Sequence, residues 1–233
     1  MSSFFKKIII LLSVSLISVS SIATASDFTA GVTAWYTNWS VEDEDGSSGA
    51  DVDPSILYGP ALLLRLNEIY SITFVFLYGS FRFHDSESET IYRYDSDLAI
   101  NYRLSEYFKI FAGAKYMRFE ARGKFYNHSL GPALGLGVTI PVLDNLFIIG
   151  NASGLYSWGE EVNQDSSTDN TGVRFYGMNS SLMLSWYIPA ASASLSIGGR
   201  YQPVVMIQED RPSSEDETKF QFYGLTATAV YSF

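Results

Sequence analysis

Cysteine is missing from all 233 residues, which removes disulfides, thiolate metal sites, cysteine nucleophiles and lipid-modified cysteine from consideration together. Histidine is nearly missing too, with 2 residues, His84 and His128, and no zinc-ligand spacing occurs. Basic residues are in deficit, Lys+Arg 15 against Asp+Glu 25. That balance argues against nucleic-acid partners, whose phosphates call for a basic face. There is no glycine-rich phosphate loop and no nucleophile elbow, so no cofactor is expected. Past residue 25 the chain also lacks any apolar run of about 20 residues, the length a helix needs to cross hydrocarbon. Yet 47% of residues are hydrophobic and 15% aromatic, which is high for an acidic soluble protein. In lipid every backbone polar group must be satisfied internally, and only helices and closed barrels achieve that. With the helical solution unsupported, a closed barrel remains.

Residues 1–25 read as a secretory signal. Lys6 and Lys7 supply the positive start, Ile8 to Val19 the apolar core, and Ala23-Thr24-Ala25 a small-residue cleavage site. The alternative, a retained anchor, suffers from the shortness of that core. Residues 26–233 read as one domain with no linker inside it.

Within that domain the pattern has period two, the mark of half-buried strands. In the last stretch Tyr223, Leu225, Ala227, Ala229, Tyr231 and Phe233 alternate with Gly224, Thr226, Thr228 and Ser232. In the fourth, Tyr92, Tyr94, Leu98, Ile100, Tyr102 and Leu104 alternate with Arg93, Asp95, Asp97, Asn101 and Arg103. Such a charged face suits a polar barrel interior with lipid outside. Ten such segments are expected, separated by short turns at Asn67-Glu68, Ser105-Glu106, Asp144-Asn145 and Pro189-Ala190, and by longer connections, Glu42 to Pro54, His84 to Thr90, Ala121 to Ser129, Glu160 to Asn170 and Gln208 to Thr218. The expected fold class is all-β: a closed antiparallel up-and-down transmembrane β-barrel of ten strands, with eight as the alternative.

A terminal Phe233 with an aromatic, Tyr231, two residues before it resembles the closing strand of bacterial outer-membrane β-barrels. The resemblance covers the whole mature chain and implies that the cell's barrel-assembly machinery reads that end. It also implies a Gram-negative outer membrane, with lipid and lipopolysaccharide as surroundings, long loops outside and both mature ends in the periplasm.

Three sets of residues are candidates for function. The first long loop carries Glu42, Asp43, Glu44, Asp45, Asp51 and Asp53, oxygen ligands suited to divalent cations that would bridge to lipopolysaccharide phosphates. The spacing fails the EF-hand pattern, and a merely solvated rim explains the same residues. The third loop differs in sign, with Arg122, Lys124 and His128 available to anionic headgroups or to neighbouring acidic loops. Inside the barrel, Arg65, Arg93, Arg103, Lys109, Lys115 and Arg200 share the inward parity with Asp95 and Asp97. Counting from the Ser105-Glu106 turn sets Asp97 opposite Lys115, with Arg200 at similar height, so a pair or triad is expected. It reads either as an anion-selecting ring in a narrow pore or as a salt-bridged plug. Ten strands enclose little more than their own side chains, which favours the plug.

Catalysis has weak support. His84-Asp85 superficially resembles the histidine and acid of the omptin proteases, but no second acidic pair with matching spacing follows. His128-Ser129 lacks the spacing of the barrel lipid hydrolases. The expected function is therefore a membrane-structural or narrow porin-like barrel and not an enzyme. The alternatives are a surface interaction barrel acting through its acidic loops and, behind it, a loop-sited hydrolase.

Overall fold

The computed structural model describes residues 27–42, 52–83, 89–163, 170–208 and 217–233. The segment 1–25 lies outside them. Strands account for nearly all of the described chain: β1 (Phe28–Glu42), β2 (Ser55–Arg65), β3 (Tyr70–Phe83), β4 (Glu89–Arg103), β5 (Phe108–Ala121), β6 (Phe125–Leu143), β7 (Leu146–Asn163), β8 (Thr171–Ile188), β9 (Ala193–Gln208) and β10 (Glu217–Ser232). Each pairs antiparallel with its neighbours in sequence, and β1 pairs with β10, giving a closed ten-stranded up-and-down barrel. Closure leaves no sheet edge to be satisfied by another chain.

The seam between the two ends of the domain is long. It runs from Glu42 opposite Lys219 to Thr29 opposite Ser232, and the Phe233 amide finishes it by donating to the Phe28 carbonyl at 2.9 Å. The Phe28 and Phe233 rings stack beside that bond with centroids 5.7 Å apart.

Period two sorts the residues between the faces. Val32, Leu134, Leu182, Ile197 and Leu225 project outward and are 60–68% exposed, an apolar surface that water would penalise and hydrocarbon would not. Paired aromatics mark its two margins. Tyr70 and Tyr102 lie 5.3 Å apart near the short turns, while Tyr78 sits 5.0 Å from Tyr94 and 6.2 Å from Tyr92 near the long connections. A tilted strand needs only about 9–11 residues to cross a bilayer. Nine of the ten strands are longer, from 14 residues in β3 and β5 to 19 in β6. The surplus carries outward charges such as Arg118, Glu120 and Arg174 at the end of the barrel bearing the long connections.

Two connections depart from expectation. The loop expected over Glu160 to Asn170 starts later, since β7 runs on to Asn163. The third long loop, expected over Ala121 to Ser129, is a tight turn of residues 122–124 between β5 and β6. Gly123 takes φ 79° there, a left-handed conformation that costs glycine little. The polar run that follows is strand: Asn127 and Ser129 are buried inward, while His128 faces outward opposite Arg118. Polarity on both faces had the appearance of a loop because this part of the barrel stands clear of the apolar belt. The turn before β9 is a short 3-10 segment, Pro189–Ala191, closed by Ser192 at φ 47°.

If the exterior meets lipid, Leu134→Arg should lower the stability of the chain refolded in lipid vesicles by about 2–4 kcal/mol, read from urea unfolding against wild type. An effect near zero would show that this face is not in hydrocarbon.

Candidate functional site in the barrel lumen

The interior is layered along the barrel axis. Toward the short turns many inward residues are small and polar, set among larger ones such as Phe111, Phe147 and Met183, and they bond across strands: Thr33 to Thr228 at 2.8 Å, Ser185 to Ser196 at 2.9 Å, and the Asn101 amide to the Ser71 carbonyl at 3.3 Å. Near mid-height lies a charged layer. Toward the long connections the lumen turns apolar, which corrects the expectation of a polar interior throughout.

The charged layer centres on Asp95, which is 1% exposed. Arg93 donates to its Oδ2 at 2.7 Å, Lys115 donates to its Oδ1, and an Arg200 Nη2 stands 3.7 Å from the same oxygen. Asp97 lies opposite Lys115 in the register, bonds its ammonium at 3.0 Å and meets Arg200 at 3.6 Å. Gln202, fully buried, accepts from Arg93 at 3.0 Å. The geometry follows from pairing: β4 brings Arg93, Asp95 and Asp97 down one face, β5 sets Lys115 beside them, and β9 supplies Arg200 and Gln202 from across the lumen.

Arg93, Asp95, Asp97, Lys115 and Arg200 therefore form one network, whereas Arg65, Arg103 and Lys109 do not join it. Arg65 pairs with Asp27 at 2.9 Å near the short turns, and Arg103 donates to the Glu68 carbonyl at 3.1 Å. Lys109 sits opposite Arg103, six residues along β5 from Lys115. Shared parity put all of them inside, but parity carries no information on height.

Above the network is a layer that parity alone did not reveal. Trp39 lies 5.0–5.8 Å from the rings of Phe81, Phe83, Phe119, Phe220 and Phe222. These aromatics pack against one another inside the lumen, and with Trp35 they flank the cations. The Arg93 guanidinium is 3.7 Å from the Phe222 ring centre, and that of Arg200 is 4.4 Å from Trp35. Arg93 Nε and Nη1 have no hydrogen-bond partner, and the π faces of Phe222, Trp35 and Phe119 around the guanidinium take that role. The available signal was that Trp39, Phe81, Phe119, Phe220 and Phe222 are aromatic on the inward parity at one end of their strands, all at the end with the long connections.

Of the acidic loop, Asp43, Glu44, Asp45 and Asp51 lie outside the described residues, as does His84. Glu42 ends β1 opposite Lys219, and the Asp53 amide donates to the Arg82 carbonyl at 2.9 Å. Among the described residues no three His, Asp or Glu side chains converge as a metal site, and no helix is long and apolar enough to cross a membrane.

No family description and no curated protein sequence matches the chain. Solved structures do. The chain is similar to the outer membrane protease OmpT from Escherichia coli, with TM-score 0.50 and 12% identity, over 91% of this chain and 100% of that one. It is also similar to Ail, the attachment invasion locus protein of Yersinia pestis, with TM-score 0.38 and 10% identity over 88% of this chain and 98% of that one. The translocator domain of the autotransporter NalP from Neisseria meningitidis gives TM-score 0.38 and 11% identity over 96% and 95%. The chain thus has the fold of bacterial outer-membrane β-barrels. A shared fold does not carry over protease or attachment activity.

Asp95→Asn should destabilise the barrel by about 3–5 kcal/mol, because it leaves buried cations facing one another. Asp97→Asn, on a side chain 31% exposed, should cost about 1 kcal/mol or less. Denaturant unfolding of the two variants in parallel checks the order; equal losses would remove Asp95 from the centre of the network.

Proposed function

We propose that the protein is an integral barrel of a Gram-negative outer membrane whose lumen is plugged, and that its role is membrane-structural. The observation that carries this reading is the double obstruction across the bore. The Asp95 network with Gln202 spans it from β4 and β5 to β9, and the Trp39 aromatic cluster lies directly above. An aqueous path needs a continuous wet column, and buried, mutually bonded charges beneath close-packed rings do not provide one. Of the two sequence readings of the lysines and arginines, the packed plug fits better than the anion-selecting pore.

In this reading the strand ends with the long connections face outward from the cell and the short turns face the periplasm. Tyr231 and Phe233, at the closing seam, serve as the signal for barrel assembly. The outward edge supports contact with anionic headgroups of the outer leaflet, lipopolysaccharide phosphates included. There Arg118 lies 4.7 Å from the Tyr126 ring and Arg122 4.1 Å from that of Tyr92, cations held on aromatic platforms at the level where headgroups sit. Divalent cations bound by Glu42 to Asp53 would reinforce the same contact. The reading assigns no catalytic step.

Purified protein in planar lipid bilayers tests this. Wild type should be silent, and Trp39→Ala with Phe222→Ala and Gln202→Ala, which thins both layers, should introduce brief conductance steps. Regular steps from wild-type protein would overturn the plugged-barrel reading in favour of a narrow pore.

A further inference from the structure

Lys109 stands apart from every other cation of the lumen. It is the second residue of β5, shares the inward parity of Lys115, and faces Arg103 across one side of its strand and Gly137 across the other. Like charges set directly opposite on neighbouring strands repel. Arg103 escapes by being exposed and bonding a turn carbonyl. Lys109 does not: it is half-buried, its stem occupies the space that a side chain at Gly137 would take, and its ammonium lies 5.8 Å from the Phe111 ring centre.

The chain gives Arg93, Lys115 and Arg200 the carboxylates of Asp95 and Asp97, and gives Arg65 that of Asp27. No carboxylate among the described residues comes within 4.0 Å of the Lys109 nitrogen. A cation recessed in a small barrel without a counter-charge is costly, and such a group signals a missing partner.

Its surroundings say what that partner is. Lys109 and Asn101 line both of two adjoining cavities: an outer vestibule of about 520 Å³ at the short-turn mouth, shared with Arg65 and Arg103, and an inner one of about 260 Å³. The inner cavity is walled by Asn151, Asn179 and Thr73 and ends under Arg200 and Asp97. Carboxylates are near, but each is accounted for. Glu68 and Glu106 lie on exposed turns at the outer mouth, and Asp97 is already held by Lys115 and Arg200. What remains at the junction is the Lys109 ammonium with no carboxylate of its own, beside the amides of Asn101 and Asn151 on walls that Phe111 and Met183 complete. The inner volume falls below the range of drug-sized pockets, and a cation with amide and hydroxyl donors on otherwise apolar walls suits a small anion.

We propose that this blind vestibule binds a small soluble oxyanion, a carboxylate or a phosphate, on the Lys109 ammonium, with the Asn101 and Asn151 side chains beside it. The site goes beyond the plugged-barrel reading and does not depend on it, since it requires only that the short-turn mouth be open to solution. It makes the lumen a cup with one entrance, and the charged layer its floor.

The test uses the full mature chain in dodecyl maltoside, a detergent without phosphate, titrated calorimetrically with inorganic phosphate and with succinate against chloride at equal ionic strength. Saturable binding of at least one probe is expected, weakened about tenfold or more by Lys109→Met, retained by Lys109→Arg, and unchanged by Arg174→Met on the outer face. Absence of saturable binding to wild type, or equal binding by Lys109→Met, overturns the proposal. Should Lys109→Met fail to refold, acetylation of Lys109 in the wild-type protein, followed by mass spectrometry, gives the answer. The bound probe should slow it, and an unchanged rate counts against the site.

Discussion

Taking a carboxylate out of water costs several kcal/mol even after the protein relaxes around it, and Asp95 is all but sealed from solvent. The interior is built around repaying that cost. Arg93 and Lys115 bond its oxygens directly and Arg200 stands within ion-pair range, so Asp95, with Asp97 beside it, offsets most of a concentration of positive charge that could not be buried alone. The reverse holds equally, since none of those cations would be tolerated there without Asp95. The network is cooperative in this sense, and its members come from strands far apart in sequence, with Arg93 and Gln202 109 positions apart. The bonds therefore fix strand register across the lumen as well as charge.

The aromatic layer follows from the same constraint. Ten strands enclose a bore narrow enough for side chains to meet across it. Charged groups alone do not fill such a space at protein density, and the gaps left would be wet. Trp39, Phe81, Phe119 and Phe222 close the gaps and offer the guanidinium of Arg93 a π face where it lacks hydrogen-bond acceptors. A lumen lined only by charges would resemble a filter; the rings convert the same charges into masonry. This is the physical basis for reading the barrel as closed, with polarity, charge and apolar packing stacked along one axis.

Below that floor the balance changes. Many of the inward side chains are threonine, serine and asparagine, small and satisfied by one another, so volume is left unfilled, and it reaches the short-turn mouth. The barrel thus has two unlike ends. One is packed like the core of a soluble domain; the other is a recess where the Lys109 ammonium has no carboxylate among the described residues within 4.0 Å. An up-and-down barrel has no topological reason for that asymmetry, which arises from the choice of inward residues at each height.

Much of this was legible in the chain. Alternation of apolar with polar residues determined strands, faces and barrel closure, because side chains in a strand point to opposite sides whatever their neighbours do. The pairing of Asp97 with Lys115 could be counted from a tight turn, since register propagates rigidly from a hairpin. What the sequence left open was height and partner. Arg65, Arg103 and Lys109 share the parity of Arg93 and Lys115 but lie at levels the network does not reach. The stretch around His128 read as loop because both its faces are polar, although above the apolar belt polar residues on both faces are what a strand in water would carry. The convergence of Phe222, Phe119, Trp39 and Arg93 was invisible for a simpler reason: contacts across a lumen depend on strand tilt and closure, which no local pattern encodes. Periodicity determined which side of the wall each residue occupies, and only the closed tertiary structure decided which of them meet.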